Sequence, residues 1–484
     1  MIADILQRDF ILKVLPEVRR ELQGMAESSG RRSANNEVPP EFDHLDRADF
    51  EAAQRAVEAA YERELIACSG QQGFDLAAQN DRRDGGSEST SLDSRVFLSR
   101  DPDISALQSA LDEYYTLRAP DRVSQQSSDP EEERRGADEE KSNTVMVTDK
   151  TLLAPPDDDR RVFEQFSVTD IRWVSCLFAE AKRKFTHRHA FSSTPAASQT
   201  LPARSRLVVV GDWASGLPRA IYVSQWMRHH LSTGLDDGVA QHAIHLGDTY
   251  YSGWPSEYER RFLPHWPVRP EWSDRIGSWS LNANHDMYSG GYGYYDTLLR
   301  DPRFSLQGGC SYFSLESPFW RILGIDTGWT EGDLEDPQAT WIASQCSDAR
   351  QKSQKVLLLS HHQLFSSYES QNTLLLGRLG ELLESGAIHA WIWGHEHRCV
   401  VYRPNAGLQY AACVGHGGVP VYMNHAESAS LPEPAIYEDR RFMKQSLESW
   451  AYMGFCILEL EDRMLTIRYL DENGFQTRAD RIGE

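Results

Sequence analysis

From residue 205 onward the chain repeats one pattern. A short apolar run is closed by Gly, Asn or His, and several of the runs are separated by an amphipathic stretch. The runs are "RLVVVGD", "HAIHLGD", "SWSLNANHD", "KVLLLSHH" and "AIHAWIWGHEH". Stretches such as "AIYVSQWMRHHL", "SEYERRFL" and "QATWIASQC" between them have helical spacing. Strands alternating with helices argue for an α/β domain. The β-branched run Val208, Val209, Val210 reads as a strand covered on both faces, with Pro218 placed to open the next helix. Asp212, Asp248, Asn284, His361, His395 and His397 each fall just beyond a strand, where open α/β sheets bind ligands. One face of a single sheet would then collect them. Carboxylate, amide and imidazole donors gathered this way suit divalent or trivalent first-row metals.

The region before residue 200 has a different character. Leu6, Phe10, Leu12, Leu15, Val18 and Leu22 mark a first helix, with Pro16 expected to kink or break it. "FEAAQRAVEAAYERELIA", "DISALQSALDEYYTLRA" and "VTDIRWVSCLFAEAKRKF" read as three more. Between them lie polar stretches, "QQGFDLAAQNDRRDGGSESTS" and the charge runs "SSDPEEERRGADEEKSN" and "PPDDDRR", whose composition is that of solvated linkers. The expected division is a helical accessory region over 1–200 and an α/β domain carrying the donor residues over 201–484, the helical region offering a surface for a protein partner.

Composition limits the function. A formal net charge of −22 counts against broad electrostatic binding to duplex DNA or anionic lipid. A small phosphorylated substrate stays compatible, because bound metals outweigh the global field locally. No stretch approaches the roughly 18–20 apolar residues of a membrane span. Acidic Asp4 and Asp9 make the start an amphipathic helix and not a signal peptide. Seven scattered cysteines with no C-x-x-C pair are what a reduced cytoplasmic protein shows.

Taken in order, "GDW…GDTYYSG…NHD…SHH…GHEH" resembles the five blocks of the calcineurin-like metallophosphoesterases, over about residues 205 to 470. Its Gly247-Asp248-x-x-Tyr251 block is similar to that of the purple acid phosphatases, which supply a tyrosinate there. The resemblance implies a four-layer α/β/β/α sandwich with two mixed sheets, the second built from "YFSLES", "WRILGIDT", "MGFCILEL" and "MLTIRYL". It implies two metal ions, iron beside a divalent iron, manganese or zinc. Asp248 would bridge them, with Asp212, Tyr251 and His397 completing the first metal and Asn284, His361 and His395 the second. The nucleophile would be a metal-bridging hydroxide attacking a phosphate ester, whether a monoester, a cyclic nucleotide or another diester; the alternative is a non-catalytic module that uses the metal-site fold to bind a partner or nucleotide. His285 would face the leaving group as general acid, oriented by Asp286.

The chain also departs from the family pattern. Ala214 stands where many members carry a ligand histidine, so Tyr251 would replace it; Tyr250 is the neighbouring phenol, but the D-x-x-Y spacing favours Tyr251. Ala283 and Gln363 replace a glycine and a proline without removing a ligand. Arg219, His362 and His416 are candidate substrate contacts. His242 and His245, on a buried strand, read as structural.

Overall fold

The computed structural model describes residues 8–28, 38–79, 98–117, 171–236, 238–421, 423, 429–443 and 450–483. The chain falls into two compact units, Met1–Thr186 and His187–Glu484. The first is helical: α1 (Arg8–Ser28), α2 (Arg47–Gln79), α3 (Pro102–Leu117) and α4 (Ile171–Thr186). Their apolar stripes supply its core, with Val14, Val18 and Leu22 of α1, Phe50, Ala53 and Val57 of α2, Ile104, Leu107 and Leu111 of α3, and Val174 and Phe178 of α4 all buried. Helix α1 continues through Pro16 without a break. Helix α2 continues to Gln79, into the first polar stretch. The two acidic runs lie outside the described residues.

Among the described residues the second unit holds fourteen strands in two sheets. They are β1 (Gln199–Thr200), β2 (Arg204–Val210), β3 (Ala240–His245), β4 (Ile276–Ser280), β5 (Phe313–Glu316), β6 (Trp320–Gly324) and β7 (Lys355–Ser360), followed by β8 (Ala390–Trp393), β9 (Cys399–Tyr402), β10 (Tyr410–Val414), β11 (Ala435–Glu438), β12 (Gly454–Glu461), β13 (Met464–Asp471) and β14 (Gln476–Ile482). The six-stranded sheet runs β14-β13-β12-β2-β3-β4 and the eight-stranded sheet β1-β5-β6-β7-β8-β10-β9-β11. Both are mixed: β2, β3 and β4 are parallel while β12 is antiparallel to β2, and β6, β7, β8 and β10 are parallel while β9 is antiparallel to β10.

Strand alternation assigns each side chain to a layer. Leu207 and Val209 face the core shared by both sheets, with Ile244, Leu357, Leu359, Ile392 and Val414. Val208 and Val210 face outward onto Val223, Met227 and Leu231 of α5 (Pro218–Asp236). On the other outer face, Leu358 and Trp391 meet Ile342 of α6 (Gln338–Gln351) and Leu375, Leu379 and Leu383 of α7 (Thr373–Glu384). This is the α/β/β/α sandwich. The apolar run at 208–210 is buried on both faces because a helix covers one and a second sheet the other.

Two expectations need correction. The strands that end in donor residues do not share one sheet, since β2, β3 and β4 belong to the six-stranded sheet and β7 and β8 to the eight-stranded one. The four strands assigned to a second sheet are likewise divided: β5 and β6 join β7, while β12 and β13 join β2. Pairing between distant segments decides sheet membership, and no local pattern encodes it. The consequence is that donors reach one place from two sheets.

Candidate metal centre

Each donor sits where a strand stops and the backbone turns sharply. Asp212 (φ 55°), Asp248 (φ 75°), His395 (φ 69°) and His397 (φ 53°) all occupy the left-handed region. That conformation costs a residue with a Cβ roughly 1–2 kcal/mol, and such strain gathers at functional sites. Glycines allow the close approach: a Cβ on Gly394 would stand 2.7 Å from Asp212 Oδ2, and one on Gly211 2.7 Å from the Val414 carbonyl oxygen.

Two donor sets meet at Asp248. On one side the Tyr250 hydroxyl lies 3.0 Å from Asp248 Oδ2, 3.4 Å from Asp212 Oδ1 and 3.0 Å from His397 Nε2. His397 Nε2 is 3.4 Å from Asp212 Oδ1. On the other side His361 Nε2 lies 3.5 Å from Asp248 Oδ2, 2.9 Å from Asn284 Oδ1 and 3.2 Å from His395 Nδ1. Asp212, Asp248 and His361 are fully or almost fully buried.

Neighbouring groups aim these donors. His361 Nδ1 donates to the Leu246 carbonyl at 3.1 Å, which leaves Nε2 as the lone-pair nitrogen facing the centre. Asn284 Nδ2 donates to the Tyr288 hydroxyl at 2.8 Å, so its oxygen faces inward. His395 Nε2 stands 3.6 Å from Glu369, leaving Nδ1 for the centre. Asp248 Oδ1 accepts the His285 amide at 3.1 Å. Burial works against ionising Asp248, yet the imidazoles of His361, His285 and His397 hold its carboxyl below the usual carboxylate range.

The structure departs from the sequence reading at three of these residues. The phenol brought to the carboxylates is Tyr250, not Tyr251. The Tyr251 ring lies under the Arg261 guanidinium, 4.3 Å away, and its carbonyl accepts from His285 Nδ1 at 2.6 Å. That carbonyl, and not Asp286, orients His285. Asp286 instead accepts the amides of Asp248 (3.2 Å) and Thr249 (3.1 Å) and the Tyr258 hydroxyl (2.5 Å). Burial and the nearby Asp248 carboxylate push Asp286 up to about 7. The third departure is Arg219, whose guanidinium is taken up by Glu472 at 2.9 Å and by the Ala451 carbonyl at 2.7 Å.

The remaining candidates are placed as follows. His362 lies beside the second donor set, its ring 4.6 Å from that of His395 and its Nδ1 3.0 Å from Thr327 Oγ1. His416 is buried in the loop after β10, close against Gly454, and burial lowers its imidazole to about 4. His285 Nε2 is buried with no hydrogen-bond partner among the described residues and stands 4.0 Å from Asp248 Oδ2. His245 packs against Phe262 and Trp266, and His242 accepts from Trp279 Nε1 at 3.1 Å.

Several contributors were not singled out from sequence. Beside the orienting groups Tyr288 and Glu369, Asp326 binds Asn282 Nδ2 at 3.1 Å and the Gly328 amide at 2.8 Å, steadying the approach to Asn284. Glu257 accepts three amides of the loop after Asp248. Its signal was faint: Pro255 at a helix start with Glu two residues later is the half of a capping box that reaches back to the amide before the helix.

The donor chemistry fits two cations. Two carboxylates, a phenol, an amide oxygen and three imidazoles converge from two directions on one shared carboxylate. Asp212, Asp248 and His361 present ligand atoms all within 4.8 Å of one another, and so do His361, His362 and His395. Oxygen and imidazole donors in that mixture suit iron, manganese and zinc.

The calcineurin-like phosphoesterase family model matches residues 205–399. Comparison with curated proteins gives no match. Among solved structures, GAP50, the anchor in the inner membrane complex of Plasmodium, is 15% identical with a TM-score of 0.42, covering 58% of this chain and 89% of that one. A purple acid phosphatase from yellow lupin seeds is 17% identical with a TM-score of 0.45, covering 60% and 55%. A dimetal phosphatase from Danio rerio is 11% identical with a TM-score of 0.40, covering 58% and 98%. The likeness to the calcineurin-like phosphoesterases covers residues 205–399 of this chain.

Proposed function

We propose that the second unit hydrolyses a phosphate ester at a centre holding two metal ions. The observation that carries the reading is the place of Asp248 Oδ2, 3.0 Å from the Tyr250 hydroxyl of one donor set and 3.5 Å from His361 Nε2 of the other. Asp212, Tyr250 and His397 would hold one ion, Asn284, His361 and His395 the second, with Asp248 shared. When bound, such a pair supplies Lewis acidity at the phosphoryl group and lowers the pKa of water.

The protein's own contribution is orientation and proton supply. His285 Nδ1 is committed to the Tyr251 carbonyl, which fixes the ring plane and leaves Nε2 facing the buried centre. In its protonated form Nε2–H can donate to a departing alkoxide oxygen, the step that controls poor leaving groups. Asn284, being neutral, keeps its ion more electrophilic than a third carboxylate would. Tyr250 as phenolate is a hard donor that favours trivalent iron, and neutral it suits manganese or zinc. The scattered cysteines support a reducing, cytoplasmic setting for the protein.

p-Nitrophenyl phosphate and bis-p-nitrophenyl phosphate, tested with manganese, zinc and iron, examine the proposal. Metal-dependent turnover of at least one ester is the expected outcome, and the ratio of the two rates reads monoester against diester preference. Turnover of neither with any metal would show a binding module in place of an enzyme.

A further inference from the structure

Between Asp248 and Trp254 every backbone amide has an acceptor, and two buried carboxylates take five of the seven. Asp286 accepts from residues 248 and 249, at 3.2 and 3.1 Å. Glu257 accepts from Tyr251 at 2.7 Å, Ser252 at 3.1 Å and Trp254 at 2.9 Å. The Tyr250 amide goes to the Ala214 carbonyl at 3.2 Å and the Gly253 amide to that of Thr249 at 3.1 Å. Arg261 closes the remaining side, donating to the Tyr250 carbonyl at 3.0 Å. Glu257 is almost fully buried.

A segment that turns away from a strand exposes its amides, and a buried amide without an acceptor costs about 1–3 kcal/mol. One carboxylate satisfying three of them fixes the segment in a single conformation, because charged acceptors make stronger and more directional bonds. Two groups of the centre hang from this segment: the Tyr250 hydroxyl and the Tyr251 carbonyl that orients His285. The Glu257 carboxylate is held on the amides of 251, 252 and 254, so its hold on the centre runs through the backbone.

We propose that Glu257 is a positioning residue of the centre, its carboxylate holding residues 251–254 so that the Tyr250 hydroxyl stays on Asp212, Asp248 and His397 and the Tyr251 carbonyl on His285. This rests on the two-metal reading above. Glu257→Gln keeps size but replaces one acceptor oxygen with a donor, which opposes the amides it faces. Glu257→Asp keeps the charge and is read in the same way should Glu257→Gln not fold. Exposed Glu259, two residues on, gives Glu259→Gln as the control.

Three readouts are taken on the full chain. Amide exchange of peptides over 249–254 should quicken at least about tenfold in Glu257→Gln. Manganese affinity should fall about tenfold, the low end of what loss of an orienting partner does. Turnover should fall in kcat with KM nearly unchanged. The decisive comparison is the double variant with Tyr250→Phe: if Glu257 acts through Tyr250, its substitution costs little further manganese affinity once the hydroxyl is gone. Wild-type exchange in Glu257→Gln, or additive losses in the double variant, would overturn the proposal. A wild-type protein that binds no manganese, zinc or iron would contradict the two-metal reading itself, and the exchange rates would then decide the role of Glu257 alone.

Discussion

At the scale of single residues, the centre shows which chemistry a sequence reveals and which it conceals. Asp212, Asp248, Asn284, His361, His395 and His397 were legible because each follows an apolar run, and a strand's end is a local property. The phenol was not. Tyr250 and Tyr251 are adjacent, and the backbone torsions of the turn, not their spacing from Asp248, decide which ring points inward. Arg219 was misplaced for a similar reason, since its partner Glu472 lies 253 residues away. The phenol assignment has a direct check. Tyr250→Phe should lower the affinity for the first ion by about tenfold or more and abolish the tyrosinate charge-transfer band of iron-loaded, oxidised protein. Tyr251→Phe should leave both near wild type, because its ring packs under Arg261. The reverse pattern would restore Tyr251.

At the scale of elements, the strands and helices of the second unit were readable from periodicity, whereas their sheet membership depended on pairings that no window contains. The β3–β4 pair carries a consequence of burial that can be measured. His242 of β3 is enclosed beside Trp279 of β4, and burial pushes its imidazole down to about 4, from about 6.5 when exposed. Between those values the unfolded chain binds a proton that the folded chain does not, so stability rises with pH across the window and is lost as pH falls through it. At pH 5 the loss from this residue is about 2 kcal/mol relative to pH 7.5. His242→Gln retains an acceptor for Trp279 and removes the titration. Urea unfolding should show wild type losing about 2 kcal/mol more than His242→Gln between those pH values. Equal losses would place the acid sensitivity elsewhere.

At the scale of the whole molecule, the sandwich explains why donors from a net acidic chain can gather at one point. The carboxyl ends of β2, β3 and β4 in one sheet face those of β7 and β8 in the other, and Asp248 stands between the two donor sets. Buried carboxylates so placed repel one another unless cations lie between them. On the proposed reading Asp248 is the residue on which both ions would depend, while Asp286 holds the backbone beneath it. The most direct test is the metal content of the purified full-length chain, wild type against Asp248→Asn and Asp286→Asn, with ester hydrolysis followed in parallel. The expected result is about two ions per wild-type chain, loss of both occupancy and hydrolysis in Asp248→Asn, and a much smaller change in Asp286→Asn. Equal occupancy in wild type and Asp248→Asn would contradict it.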